Sequence, residues 1–257
     1  VSDDWLRLKR LMEMNKLINF GVRGAAALAV IGLSVSAANA QFLISNSADR
    51  GSYSSAGDHN STVDSYIAGY DSFDAVQYRS FFVFDIPTLT GTDTYTSAVL
   101  NVYNGGTSTP NAVGMAGRTF TISSIATNIN TLRAGGTGLT SVYNGLRGGT
   151  DYGSITFAST PGNASTIKFN LNAAGLSAIN GAAGSQIAFG GSFDVNNTTT
   201  DQYIFGFSGS GTAGDGKTRL DLVVNNFTAP EPSTFALLSM APIGIGIVVR
   251  RLRRRDS

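Results

Sequence analysis

Tyr78-Arg79-Ser80-Phe81-Phe82-Val83-Phe84-Asp85-Ile86 is the stretch on which the fold turns. Read at a period of two, it sets Tyr78, Phe82, Phe84 and Ile86 on one face and Phe81 and Val83 on the other, the pattern of a strand buried on both sides in its middle. That is a central strand. One-sided alternation recurs on both sides of it: Ala98, Leu100 and Val102; Phe120 and Ile122; Ile155 and Phe157; Ile167, Phe169 and Leu171; Ile187, Phe189 and Phe193; Tyr203, Phe205 and Phe207; Leu220, Leu222 and Val224. Each run is short and bounded by Gly, Asn, Ser or Pro, and no long amphipathic helix intervenes. The expected class is therefore mainly β, an antiparallel sandwich or barrel, with one or two short helices. The helices are expected at Ser141 to Leu146 and at Asn172 to Ile179, the second with Asn172 as N-cap and Gly181 just past its end. No repeat period is visible, which excludes a solenoid.

Charge separates this body from the two ends of the chain. Of eighteen Lys and Arg, five lie in residues 1–40 and five in the last eight residues, leaving eight between residues 41 and 228 against twelve Asp. A body near −4 has no basic face for phosphate, so nucleic acid is not an expected partner. The chain has no cysteine, so a disulfide framework and thiolate chemistry are excluded.

Residues 14–40 read as a secretory signal: Met14, Lys16 and Arg23 in a basic start, Gly24 to Val35 as the apolar segment, and Ala38-Asn39-Ala40 as a small-residue cleavage site ahead of Gln41. Residues 1–13 read as an extension from a start placed too far upstream. At the other end, residues 229–257 hold Pro230-Glu231-Pro232, the uncharged run Phe235 to Val249, and Arg250, Arg251, Arg253, Arg254 and Arg255. As a helix the run spans roughly 22 Å. That is short of a ~30 Å hydrocarbon core unless the arginine stems extend it, and the arginines keep the C-terminus cytoplasmic. The expectation is a signal helix, a β body over 41–228 and a single membrane-spanning helix, with the body delivered outside.

Pro-Glu-Pro, a short apolar span and an arginine cluster in that order resemble the PEP-CTERM sorting signal of exopolysaccharide producers. The resemblance implies Pro230, Glu231 and Pro232 as the motif read by an exosortase-type processing enzyme. It also implies transient anchoring in the cytoplasmic membrane, then residence at the cell surface or in an extracellular polysaccharide matrix. A second resemblance rests on Tyr53-Ser54-Ser55-Ala56-Gly57-Asp58-His59, Asp64 to Gly69, Arg79 to Asp85, Ser97 to Tyr103, Gly135 to Thr140 and Gln202 to Phe207. These segments are similar to PEP-CTERM passengers with a jelly-roll-like sandwich, akin to DNRLRE-type modules, and they imply fold without implying catalytic residues.

The chemical candidates within the body are few. Gly211 to Thr218 spells G-x-x-x-x-G-K-[ST], yet a phosphate loop needs a helix next, and Arg219 to Val224 reads as a strand, so nucleotide is not expected. His59 is the only histidine and no G-x-S-x-G elbow exists, so it reads as a surface residue of a polar loop. Asp58, Asp64, Asp71 and Asp74 could supply oxygen to Ca²⁺, but their spacing matches no calcium loop and ordinary turn formation explains them. Tyr143, Tyr152, Asn196 and Asn197 are candidates for stacking on and bonding to sugars if they face out. The function expected is a non-enzymatic surface or matrix protein linked to exopolysaccharide, biofilm or floc formation. The alternative is a carbohydrate-binding module, with glycan hydrolysis behind it.

Overall fold

The computed structural model describes residues 39–63, 65–105, 111–195, 198–206 and 216–226. The predicted signal segment up to Ala38 lies outside them. So do the 229–257 tail with Pro230, Glu231, Pro232 and its arginines, and Asp64, Asn196, Asn197 and the glycines Gly211 and Gly214.

Among the described residues, ten strands and three short helices make the body. The first half of the chain runs β1 (Asn39–Ser54), β2 (Ala68–Asp71), β3 (Val76–Asp85), β4 (Thr94–Asn104), β5 (Thr119–Ser124), α1 (Ile129–Ala134) and α2 (Thr140–Gly145). The second runs β6 (Asp151–Thr156), β7 (Ser165–Asn170), α3 (Ala173–Gly181), β8 (Gln186–Phe193), β9 (Gln202–Ile204) and β10 (Arg219–Asn226). The pairings are nested: β5 with β6, β4 with β7, β3 with β8, β2 with β9 and β1 with β10. The chain is thus one long hairpin, its tip at β5–β6, rolled so that β1 also meets β3, β4 meets β10 and β5 meets β8. The resulting path is β6-β5-β8-β3-β1-β10-β4-β7, an antiparallel sheet nearly closed on itself.

Asn172 clasps the two ends of that path. Its N–H donates to the Tyr152 carbonyl at 2.8 Å and its Nδ2 to the Asp151 carbonyl at 2.8 Å, while its Oδ1 accepts from Ala174 and Gly175 N–H at 3.0 Å each. One side chain therefore caps α3 and ties the chain leaving β7 to β6. The N-cap is the one expected, but α3 runs on through Gly181 and α2 begins one residue earlier than anticipated. Asn172→Ala is expected to lower unfolding free energy by about 2 kcal/mol, measured as a shift in urea midpoint, because the cap and the edge bond go together.

Inside the roll, Phe82, Phe84, Ala98, Leu100, Val102, Phe120, Ile122, Phe169, Phe189, Phe193, Leu220, Leu222 and Val224 form one core, with Phe120 and Phe169 ring centroids 5.3 Å apart. Phe81 and Val83 point the other way. They are fully buried because the segment carrying α1 and α2 lies over them, adding Leu132, Val142, Tyr143 and Leu146 to a second cluster with Tyr53. The Tyr53 hydroxyl donates to the Thr131 and Leu132 carbonyls, both at 3.1 Å, satisfying acceptors at the end of α1. The two-sided burial expected for β3 is observed, and its outer cover is helical.

Two expectations are corrected. The alternation from Tyr203 to Phe205 does not hold: β9 stops at Ile204, and Phe205 turns with φ 60°, so Ile204 and Phe205 both enter the core while Tyr203 is half-buried, and Phe207 lies outside the described residues. Tyr143 and Tyr152 do not face out. Tyr143 sits in the outer cluster with the Arg79 guanidinium 4.0 Å above its ring, and Tyr152 packs edge-on to Phe189 at 5.8 Å in the main core. Strand β1 begins at Asn39, and Gln41, the expected mature terminus, is an exposed residue within it.

Candidate ligand groove

A groove of about 510 Å³ opens where β1, the chain leading into β2, the β2–β3 turn and the glycine loop before α2 meet. Its walls include Ser52, Ser54, Asp58, His59, Ser65, Asp74, Tyr78 and Gly136. A short backbone bridge holds it: His59 N–H donates to Gly136 O at 2.9 Å and Gly136 N–H to His59 O at 3.0 Å. Leu139 N–H adds a bond to Gly57 O at 2.9 Å. Residues 53–59 and 135–140, two of the six segments quoted for the sandwich resemblance, are thus zipped together across the groove.

His59 is not the surface residue expected. Its ring lies 4.8 Å from Tyr53 and meets Phe81 edge-on at 5.3 Å, half-buried, and it can sit there because Gly51 lacks a side chain: a Cβ would lie 2.6 Å from the ring. Burial pushes its pKa below the usual 6.5, opposed more weakly by a hydrogen bond to the Ser52 backbone and by Asp49. The neutral ring is therefore the packed form. Its stabilising contribution is complete above the unfolded value near 6.5 and is lost as pH falls through the folded value. Melting temperature between pH 7.5 and 5 should fall less in His59→Phe than in the parent chain; equal falls would show that the histidine does not carry this slope.

The aspartates divide. Asp71 is buried at the end of β2 with Oδ1 accepting from Phe73 N–H at 2.8 Å, a turn bond. Asp58 and Asp74 line the groove. Asp58 Oδ1 accepts from Gly138 N–H at 3.1 Å, and Asp74 Oδ2 accepts from the Tyr78 hydroxyl at 2.8 Å. Tyr78 stays a donor, because burial, then the Asp74 hydrogen bond and neighbouring negative charges, raise its pKa well above the ordinary phenol value. Among the described residues, which do not include Asp64, no three His, Cys, Asp or Glu side chains are grouped so as to hold a metal ion.

Where the nucleotide motif ends, Thr218 is fully buried, its carbonyl accepting from Ser47 N–H at 3.0 Å, and β10 follows at once as a strand. The helix that a phosphate loop requires is replaced by sheet. Among the described residues no helix is long and apolar enough to cross a membrane.

Tyr78, Ser52, Ser54 and Ser65 are the groove residues that sequence reasoning missed as site residues; Tyr78 could be read only as a core-facing strand residue. The chain matches no protein-family model and no curated protein sequence.

Proposed function

We propose that this chain is an exported surface or extracellular-matrix protein, sorted through residues 229–257, whose body is a jelly-roll sandwich acting by association within a polysaccharide matrix rather than by catalysis. The observation that carries the proposal is the tail, where Pro230-Glu231-Pro232, an uncharged fifteen-residue run and five arginines stand in the one order that makes an exported, cleavable anchor. The nested pairing of β1–β10 through β5–β6 supports the jelly-roll assignment, since a rolled hairpin generates that topology. Support for a non-catalytic body comes from His59, whose ring is packed against Tyr53 and Phe81 and bonded to the Ser52 backbone rather than to a serine hydroxyl.

The experiment is replacement of Pro230, Glu231 and Pro232 by alanine in a host that carries an exosortase-type enzyme. Full-length protein should accumulate in the membrane fraction and the released form should fall at least tenfold. An unchanged distribution would contradict sorting through this motif.

A further inference from the structure

We propose that the groove between β1, β3 and the residue 135–138 loop binds a sugar residue that carries no negative charge, either neutral or amino-bearing. The inference builds on the matrix setting proposed above but is carried by the groove itself.

The first observation is the placement of acceptors. Asp58 spends Oδ1 on Gly138 N–H and Asp74 spends Oδ2 on the Tyr78 hydroxyl, which leaves one oxygen of each carboxylate for a ligand while fixing both side chains. Carboxylate oxygens held in this way accept from sugar hydroxyls or an ammonium group, and their charge makes such bonds stronger than neutral ones. The second observation is Ser65, 93% buried (7% exposed), at the groove wall, whose Oγ has no hydrogen-bond partner among the described residues. A buried hydroxyl left without a partner is costly, and a ligand hydroxyl that shifts the groove wall enough to reach it would relieve that cost. The third is the ring of Tyr78, half-buried on the groove wall and locked at its hydroxyl, a rigid apolar surface of the kind that sugar rings pack on.

The sign of the site selects among sugars. No lysine or arginine lines the groove among the described residues, whereas two carboxylates do, and His59 is held neutral at pH 7. A uronate, sulfate or phosphate group would meet like charge without a counter-ion. The site therefore discriminates against acidic polysaccharide and accepts neutral or cationic polymer.

The test uses the full chain in mild detergent at pH 7 with EDTA present. Titration calorimetry is run against dextran, cello-oligosaccharides and xylo-oligosaccharides, against chito-oligosaccharides with free amines, and against alginate and polygalacturonate. Saturable binding is expected for at least one neutral or amino polymer and for neither acidic one. Asp58→Asn and Asp74→Asn each keep an oxygen for the internal bond but turn the free acceptor into a donor. Each should weaken that binding about tenfold with melting temperature nearly unchanged. Silence on every polymer overturns the proposal, as does tighter binding to the acidic pair or affinity unmoved in both variants. Binding that appears only when Ca²⁺ replaces EDTA also overturns it, in favour of a metal-bridged site. Loss of sorting with binding intact would count against the export reading alone, and loss of binding with sorting intact against the groove alone.

Discussion

Phe81→Ala should destabilise the body by about 3–5 kcal/mol, as much as Phe84→Ala, although the two side chains leave β3 on opposite faces. Phe84 lies in the interior of the roll, its ring centroid 5.9 Å from that of Phe189, and its removal opens a cavity that rigid sheet on both sides cannot close. Phe81 is equally buried, but against Tyr53, His59 and the segment bearing α1 and α2. A strand with one wet face would tolerate Phe81→Ala within about 0.5 kcal/mol. Urea denaturation of both variants therefore separates a helix-covered β3 from a one-sided one. With native stabilities of about 5–15 kcal/mol, either loss removes a large share of the total.

The second large effect is expected at Gly57, where φ is +84° and an added Cβ would collide with the backbone nitrogens of Leu139 and Thr140. Unlike a clash with a flexible side-chain tip, this one yields only if the loop before α2 moves. Gly57→Ala should cost about 2–4 kcal/mol from conformational strain and lost contacts together. Because Leu139 N–H to Gly57 O and the His59–Gly136 bridge lie side by side, the groove should open as the body weakens. The check is amide hydrogen exchange: Gly136 and Leu139 should lose protection in the variant, while Leu100 and Leu222 in the core keep theirs. Protection unchanged at Gly136 and Leu139 would mean that the bridge does not depend on Gly57.

Strand β3 was readable because apolar residues occupy both of its faces, and β4 and β10 because Ala98, Leu100 and Val102, and Leu220, Leu222 and Val224, are apolar at every inward position. Strand β1 was not readable, although it lies at the centre of the sheet. Its buried positions include Ser45, Ser47, Arg50 and Ser52, while Phe42 and Ile44 are more than half exposed, so its alternation runs opposite to the usual rule. The Ser45 hydroxyl makes up for this by donating to the Asp85 carbonyl at 2.7 Å. Helix α1 escaped notice because six residues offer only Ile129 and Leu132 as an apolar face, even though Asn128 caps it through Asn130 N–H at 2.8 Å.

The groove was half legible. Asp58, Asp74 and His59 stood out as polar chemistry near one another in sequence, but the wall opposite them comes from Gly136 and Thr137, roughly eighty residues away, through a backbone bridge that no side-chain pattern announces. The tyrosines chosen for sugar contact from sequence, Tyr143 and Tyr152, are packing residues, and Tyr78, read as a core-facing strand residue, is the one at the groove. Exposure separates these roles, and exposure in a β protein depends on which face is covered by what comes later in the chain.

The most direct test of the account is the intact mass of the protein recovered from outside the cytoplasmic membrane of its host. The expected product is a chain that starts at Gln41 and has lost its arginine tail. Recovery from the cytosol, with the first forty residues and the arginine tail still attached, would contradict it.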